Sequence, residues 1–471
     1  MIERDEIDYQ AGQLDVHPVN VERDYVFGWL LKAMSENEYL SRALIFKGGN
    51  AMRKAYYPHT RFSNDLDFAV EGGVDADRTV AEINAACAAA EAQCGVKFVR
   101  DRTNLVADHS LDKDRTSYKG SVYFYDFYGK PSKLTISIRV DVSDYERVHL
   151  PLVLRPLHHP YSDAEECVAT VRCLALEELL ANKLKCLLQR RYSFDLYDLV
   201  YATFFERSIE VDRGAVVRTF LRKTIFERSP GAAREILLGL PLTLLKGAYE
   251  KYVTAPVVSR FSFDDAMSAF TDIIHGFFDG FVGSERLQYA FFGPELRNTI
   301  MEAGAGKRLL KLRYNDRDRI IEPYALAYKR AAGKEPAEYF YAFDRSEHGK
   351  GPSIKTFLSP GVQSLELLDE TFEPQFPIEL SKAGEPLDRT HFGRSFGEGA
   401  RRAATTRSNR SSTSLRRIGS RRTAKSPFAL SIRVRCPYCE KTFTRSGYET
   451  KLNPHKDRNG YKCLGRVGYI V

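Results

Sequence analysis

A chain of 471 residues, 43% hydrophobic and 28% charged, can build several hydrophobic cores and needs no disulfide framework to fold. It carries no run of roughly eighteen uncharged apolar residues to span a bilayer. The acidic start MIERDEIDYQ also lacks the basic and apolar segments of a secretion signal, so the expected place is the cytoplasm, with no membrane partner. The formal net charge of +8 is uneven: Arg394 to Lys425 holds ten Arg or Lys against the single Glu398, which points to a polyanion near the C-terminal part.

In chain order, apolar residues at helical spacing predict a helix over Val21 to Met34. The run ALIF then predicts a strand ending at Gly48-Gly49, followed by a helix from Asn50 to Tyr57 that stops before Pro58. The run DLDFAV reads as a strand, and the alanine-rich stretch Ala76 to Cys94 as a helix. Strand-like runs follow at Val96 to Arg100, Ser121 to Tyr128 and Leu134 to Val142. From Ala164 to about Ala290 the pattern is helical, and Arg319 to Leu380 returns to strands, clearest at Tyr339 to Phe343 and Ser353 to Leu358. The Arg-, Ser-, Thr- and Gly-rich stretch Ser381 to Pro427 reads as a linker, and a small module closes the chain. Cys87, Cys94, Cys167, Cys173 and Cys186 read as buried thiols, whereas Cys436, Cys439 and Cys463 crowd the last forty residues.

Chemistry concentrates first at IFKGGN and NDLDF. In a strand, residues two apart share a face, so Asp65 and Asp67 present two carboxylates side by side while Leu66 and Phe68 enter the core. Adjacent like charges repel unless a cation sits between them, and Mg²⁺ with triphosphate oxygens as further ligands is the usual partner. Gly48 and Gly49, where strand turns to helix, leave backbone N–H groups open to a phosphate. Asp141, near the end of its strand and on the same face as Arg139, supplies a third acid. The alternative for each is a solvated strand end.

The second concentration is CLALEELLANKLKCLLQRRYSFDLYDLVYA. Lys183 and Arg190 share a helix face, as do Asp195 and Asp198. An unbroken helix would set Lys183 and Asp198 about 22 Å apart, so they serve one site only if the chain turns near Arg191 to Ser193. Lys183 could then neutralise phosphate charge or act as a base; a surface salt-bridge ladder is the alternative.

Together, Glu22-Arg23-Asp24-Tyr25, Phe46-Lys47-Gly48-Gly49-Asn50, Arg61 to Asp67, Leu176 through Lys183 to Arg191, and Asp195 to Leu199 resemble the AbiEii/AbiGii nucleotidyltransferase toxins of type IV toxin–antitoxin and phage-abortive systems, over residues 15 to 290. The resemblance implies a DNA-polymerase-β-like catalytic domain (15–160) and a helical domain completing the site (161–300). It also implies that Asp65 and Asp67 hold Mg²⁺ or Mn²⁺, that the Gly48-Gly49 turn holds the triphosphate, and that Lys183 and Asp195, with Asp198 close by, serve catalysis. Asp141 is the expected third metal ligand and catalytic acid, and Lys47, Asn50, Arg61, Arg190 and Arg191 are the further expected NTP contacts. The implied activity is transfer of NMP from NTP to RNA, at the acceptor end of tRNA, with an antitoxin as cognate partner. Asn50, Asn182 and Phe194 depart from the family pattern, where a small hydroxyl residue, a Glu and an Arg are common. A catalytically weak nucleic-acid-binding regulator is the alternative function.

Residues 310–380, with Arg319 to Tyr324, Tyr339 to Asp344, Ser353 to Phe357 and Phe372-Glu-Pro, resemble a WYL-type SH3-like β-barrel, with Arg319, Tyr324, Tyr341 and Lys355 as the residues to test for ligand binding. After the basic linker (381–430), residues 431–471 resemble a small zinc ribbon. There Cys436, Cys439, His455 and Cys463 form a four-ligand set for structural Zn²⁺. The expected fold class is thus α+β, with a nucleotidyltransferase domain, a helical domain, a barrel and a zinc module.

Overall fold

The computed structural model describes residues 2–71, 73–109, 116–127, 135–144, 146–281, 291–329, 337–346, 351–376, 378–380 and 383–384, then 431–435, 441–446, 452–453, 455 and 469–470. The chain divides into two compact units, Met1–Ala404 and Thr405–Val471.

Helix α1 (Arg4–Leu14) precedes α2 (Pro18–Glu36) and α3 (Glu38–Ala43). Pro18 opens α2, where its missing N–H costs nothing, and the His17 imidazole accepts from Val19 N at 3.2 Å. Helix α2 is apolar on most of its circumference, with Val26, Phe27, Trp29 and Leu30 buried, because it lies between a helix and the sheet. Strand β1 (Leu44–Lys47) runs into α4 (Gly48–Ala51), which continues as a wider turn over Met52–Tyr56. Then follow β2 (Asp65–Val70), α5 (Ala76–Cys94), β3 (Asn104–His109), β4 (Thr116–Tyr125), β5 (Thr135–Ser143), β6 (Val153–Pro156) and β7 (Thr170–Cys173). Seven strands form one mixed sheet in the order β3-β4-β5-β2-β1-β7-β6. The expected strand at Val96 to Arg100 is replaced by a single bridge between Phe98 and Phe124 and a short helical turn, and β7 interrupts the run read as helical. Cys173 of β7 pairs beside Phe46 of β1, so this short segment, with Val171 and Cys173 buried, extends the sheet.

Two features of the sheet position the site. Strand β2 runs antiparallel to β1 and parallel to β5, with Asp67 beside both Lys47 and Asp141 in the register. Leu66, Phe68, Val140 and Val142 are buried, so the alternation of strand side chains puts Asp65, Asp67 and Asp141 on the opposite face.

The turn after the glycines is locked by a buried ion cluster. Asp24 of α2 accepts from Arg53 Nε and Lys54 Nζ, both at 2.7 Å, and from the Tyr161 hydroxyl at 2.9 Å. Burial opposes charge on Asp24, but Arg53 and Lys54 outweigh it and hold the carboxyl well below the usual carboxylate range. Its folded pKa lies below the unfolded value, so its contribution to stability is present above about pH 4 and is lost as pH falls through the folded pKa. Asp24→Ala leaves two buried cations without their carboxylate and is expected to destabilise the protein by roughly 3–5 kcal/mol. Thermal denaturation checks this; an unchanged midpoint at pH 7 would contradict it.

The helical layer comprises α6 (Leu176–Gln189), α7 (Ser193–Val200), α8 (Arg213–Arg222), α9 (Pro230–Leu238), α10 (Lys246–Tyr252) and α11 (Phe263–Phe278). Ser262 and Asp265 close a reciprocal cap at the start of α11. Helix α12 (Pro294–Gly306) leads to a second sheet of β8 (Arg308–Tyr314), β9 (Arg317–Lys329), β10 (Ala337–Asp344), β11 (Ser353–Leu358) and β12 (Val362–Thr371).

The second sheet corrects the expected barrel. Its order is β11-β10-β9-β8-β12, so β11 and β12 are its two edges, with no ladder between them among the described residues. A barrel needs that last pairing to close. The fold is therefore mixed α and β with open sheets, and the WYL-type resemblance lacks the closed barrel it implies. Arg319 and Lys355 both pair with the buried Asp344, the latter at 2.7 Å, and the buried Tyr324 hydroxyl donates to Glu322 at 2.6 Å. Tyr341 is buried against Ala325 and Ala327. Arg319, Lys355 and Asp344 thus satisfy one another within the sheet.

In the second unit, β13 (Ser431–Arg435) pairs antiparallel with β14 (Thr442–Ser446) and β15 (Tyr469–Ile470). Of the expected zinc ligands, Cys436, Cys439 and Cys463 lie outside the described residues, as does nearly all of the basic linker. His455 is described, with Nδ1 2.9 Å from the Asn453 carbonyl and its ring edge-on to Phe443. Cys87, Cys94, Cys167 and Cys173 are buried free thiols and Cys186 is a half-buried one.

Candidate active site

Asp65, Asp67 and Asp141 converge: one carboxylate oxygen from each lies within 4.8 Å of the others. Burial, then the charges of Asp65 and Asp141, push the Asp67 carboxyl up to about 7 against the pull of Lys47 and Lys183. Burial and Asp65 also raise Asp141. Three half-buried carboxylates at this spacing suit a divalent cation, which would relieve both effects, and hard oxygen donors suit Mg²⁺ or Mn²⁺.

The glycine turn is fitted to this cluster. Gly48 has φ of +78°, and a Cβ there would overlap Asp67 Oδ2. Gly48→Ala therefore combines left-handed backbone strain, about 1 kcal/mol, with displacement of a cluster carboxylate. It is expected to lower activity at least about a hundredfold while the fold is retained; turnover within threefold of wild type would refute this. Asn50 is fully buried and donates from Nδ2 to the Asp65 carbonyl at 2.6 Å, bracing β2 from behind. Arg23 donates to Asn64 Oδ1 beside the same strand end.

Opposite the cluster stands a buried ion network built by a chain reversal. Helix α6 stops at Gln189 and α7 starts at Ser193, with Arg191 in the left-handed region at φ +53°. The reversal brings Lys183 Nζ to 2.7 Å from Asp198 Oδ2 and 3.2 Å from Asp195 Oδ1. Arg61 grips Asp198 with two bonds of 2.7 Å, and Arg190 grips Asp195 with bonds of 2.9 and 3.0 Å. Burial opposes the Lys183 charge, but Asp198 and Asp195 outweigh it, so its pKa is held well above the ordinary lysine range. Three cations against two carboxylates leave one surplus positive charge. Phe194 lies on the Arg61 guanidinium with the ring centroid 4.7 Å away.

Glu146, which sequence reasoning missed, links the two halves. It pairs with Lys47, accepts from Asn182 Nδ2 at 2.7 Å and lies 3.5 Å from Lys223. Burial works against its charge, but Lys47, Lys223 and Lys185 hold the carboxyl well below the usual range. Lys47 thus faces Glu146 and Ser143, and Arg191 faces α12.

The cluster and the network face each other across a cleft of about 810 Å³. Its lining includes Lys47, Gly48, Gly49, Arg61, Asp65, Asp67, Lys119, Arg139, Asp141, Lys183, Lys185, Arg190 and Asp195; of the expected site residues, Asn50, Asp198 and Arg191 stand behind the wall. Tyr192 and Tyr252, each more than half exposed, stand at the cleft.

Among solved structures the chain is similar to MenT4, a nucleotidyltransferase toxin from Mycobacterium tuberculosis H37Rv, at 17% identity and a TM-score of 0.38 over 59% of this chain and 90% of that one. It is similar also to proteasome accessory factor B/C of Arthrobacter aurescens, at 13% identity and a TM-score of 0.15 over 76% of this chain and 73% of that one. No curated protein matches. No helix among the described residues is long and apolar enough to cross a membrane. The family described as nucleotidyl transferase AbiEii toxin, type IV toxin–antitoxin system, matches residues 29–266, which carry the carboxylate cluster, the glycine turn and the ion network. With just over half of its length matched, the chain belongs to the AbiEii family of nucleotidyl transferase toxins.

Proposed function

We propose that this toxin transfers NMP from an NTP to RNA, at the acceptor end of tRNA, using Mg²⁺ or Mn²⁺ held by Asp65, Asp67 and Asp141. The observation that carries the reading is the convergence of those three carboxylates within 4.8 Å beside the Gly48 turn, at the wall of a cleft whose other side bears surplus positive charge. When bound, the divalent cation supplies charge neutralisation for the triphosphate and the attacking hydroxyl. The chain's own part is placement. The backbone at Gly48-Gly49 offers N–H groups to phosphate, and Lys183 and Arg190, fixed by Asp195 and Asp198, face the developing charge without needing to reorganise. Asp198 and Asp195 favour the charged form of Lys183 over the cost of its burial, which suits it to act as a cation. The acceptor hydroxyl bonds to the α-phosphorus, the bond to the bridging oxygen breaks, pyrophosphate leaves, and a carboxylate of the cluster takes the proton. Lys119, Arg139 and Lys185 along the cleft suit the backbone of an RNA end. A cognate antitoxin restrains the activity in the cell.

The test is incubation of purified protein with Mg²⁺, each labelled NTP and total tRNA, beside protein carrying both Asp65→Ala and Asp67→Ala. Label entering tRNA only with the wild type is the expected result. Incorporation into DNA alone, or equal label with both proteins, would reject the reading. Growth arrest by the wild type and not by Asp67→Ala, relieved by the neighbouring gene product, tests the antitoxin.

A further inference from the structure

We propose that the second sheet is a working part of the catalytic domain: through Asn298 of α12 it holds the turn at Arg190 to Tyr192 and thereby positions Arg190 and Asp195. This rests on the nucleotidyltransferase reading for its activity test and on the structure alone for its second test.

The turn that folds α7 back onto α6 contains the strained residue of the site. Arg191 sits at φ +53° without being glycine, a conformation costing roughly 1 kcal/mol that persists only where surroundings enforce it. Within the turn, the Arg190 and Arg191 amides donate to the Cys186 carbonyl at 2.8 and 3.2 Å, a weak hold for a half-buried guanidinium. The added hold comes from outside the helical layer. Arg191 Nη2 donates to Asn298 Oδ1 at 2.8 Å, and Asn298 Nδ2 donates to the Gly239 carbonyl at the end of α9, also at 2.8 Å. One side chain therefore ties the catalytic turn to the helical layer.

Asn298 is itself fixed by the second sheet. The preceding residue, Arg297, is buried and ion-paired with the buried Glu338 of β10, whose other oxygen accepts from Phe292 N at 3.0 Å. Phe291 stacks on Tyr328 of β9 with ring planes 7° apart and packs on Phe226 of the helical layer. At Gly239 a Cβ would come within 2.5 Å of Pro294 Cβ, so the start of α12 is seated closely on α9. A second tie lies beyond the sheet, where Ile225 N donates to the Gly384 carbonyl at 2.9 Å. In these contacts the groups supplied by α12 and the second sheet lie past residue 266, outside the matched family region.

The consequence for chemistry passes through one peptide bond. Arg190 holds both oxygens of Asp195, and Asp195 holds Lys183. If Arg191 leaves its conformation, Arg190 turns with it and the surplus positive charge facing the cluster moves. Asn298 touches neither cluster nor cleft and is a positioning residue.

The experiment compares Asn298→Ala, Asn298→Asp and Arg191→Gly in the full chain. Asn298→Ala is expected to lower kcat about five- to tenfold, with KM for NTP within twofold, because a misplaced group costs the transition state first. Asn298→Asp keeps an acceptor for Arg191 but loses the donor to the Gly239 carbonyl, so it should recover only part of the loss. Arg191→Gly combined with Asn298→Ala should be no worse than the poorer single variant, since both break one link. Hydrogen exchange over residues 186–195 gives a reading independent of activity: faster exchange in Asn298→Ala, partly restored in Asn298→Asp. If the wild type transfers no nucleotide, the functional reading fails and this exchange result alone decides the brace. Unchanged exchange in Asn298→Ala, or multiplicative losses in the double variant, would overturn the proposal.

Discussion

Asp67→Ala is expected to reduce nucleotide incorporation by about a thousandfold or more, because on the proposed reading it removes a ligand of the divalent cation that would supply several kcal/mol of transition-state charge stabilisation. It should not unfold the protein. Asp67 is the acid that the folded state disfavours most clearly: its carboxyl is pushed up to about 7 by burial and by Asp65 and Asp141. The folded pKa lies above the unfolded value, so the folded state binds more protons between about pH 4 and pH 7. In chelator, the wild type should therefore gain stability relative to Asp67→Ala as pH falls through about 7. Adding Mg²⁺ at pH 8 should raise the wild-type midpoint and leave that of Asp67→Ala nearly unmoved. A wild-type midpoint that gains nothing on that of Asp67→Ala between about pH 8 and pH 5 in chelator would contradict the geometry of the cluster.

Asp198→Ala is expected to act on stability and chemistry together. The carboxylate is fully buried and takes two bonds from Arg61 and one ion pair from Lys183. Removing it leaves two buried cations with less compensation, a loss of roughly 3–5 kcal/mol. Activity should fall at least about a hundredfold, since Lys183 loses one of the two carboxylates that aim it. Asp198→Asn keeps an acceptor and should cost less stability than the alanine form. Equal midpoints for wild type and Asp198→Ala would show that the network does not hold α6 to α7 as described.

The carboxylate cluster was legible because strand periodicity is strict: Asp65 and Asp67 are two apart, and Asp141 sits in a run whose alternation predicts its face. The need for a break between Lys183 and Asp198 followed from helical rise alone, and the chain does reverse at Arg190 to Tyr192. Pairings that depend on loops were not legible. Glu146 lies between β5 and β6 with no periodic pattern around it, yet it meets Lys47, Asn182 and Lys223 from three other elements. Position in a motif makes Asn50 and Arg191 expected nucleotide contacts but does not foretell their bonds to the Asp65 carbonyl and to Asn298. The barrel expectation failed for a related reason. Individual strands such as Ser353–Leu358 are fixed by local alternation, but whether the first and last strands meet depends on the path of the whole sheet.

The most direct test of the central claim is the intact mass of tRNA after incubation with the protein, Mg²⁺ and all four NTPs, with pyrophosphate release measured in the same reaction. The account predicts mass increments of whole nucleoside monophosphates, one pyrophosphate for each, and neither with Asp67→Ala or in chelator. Unmodified tRNA in the presence of active, metal-loaded wild-type protein, or increments that persist in Asp67→Ala, would contradict it.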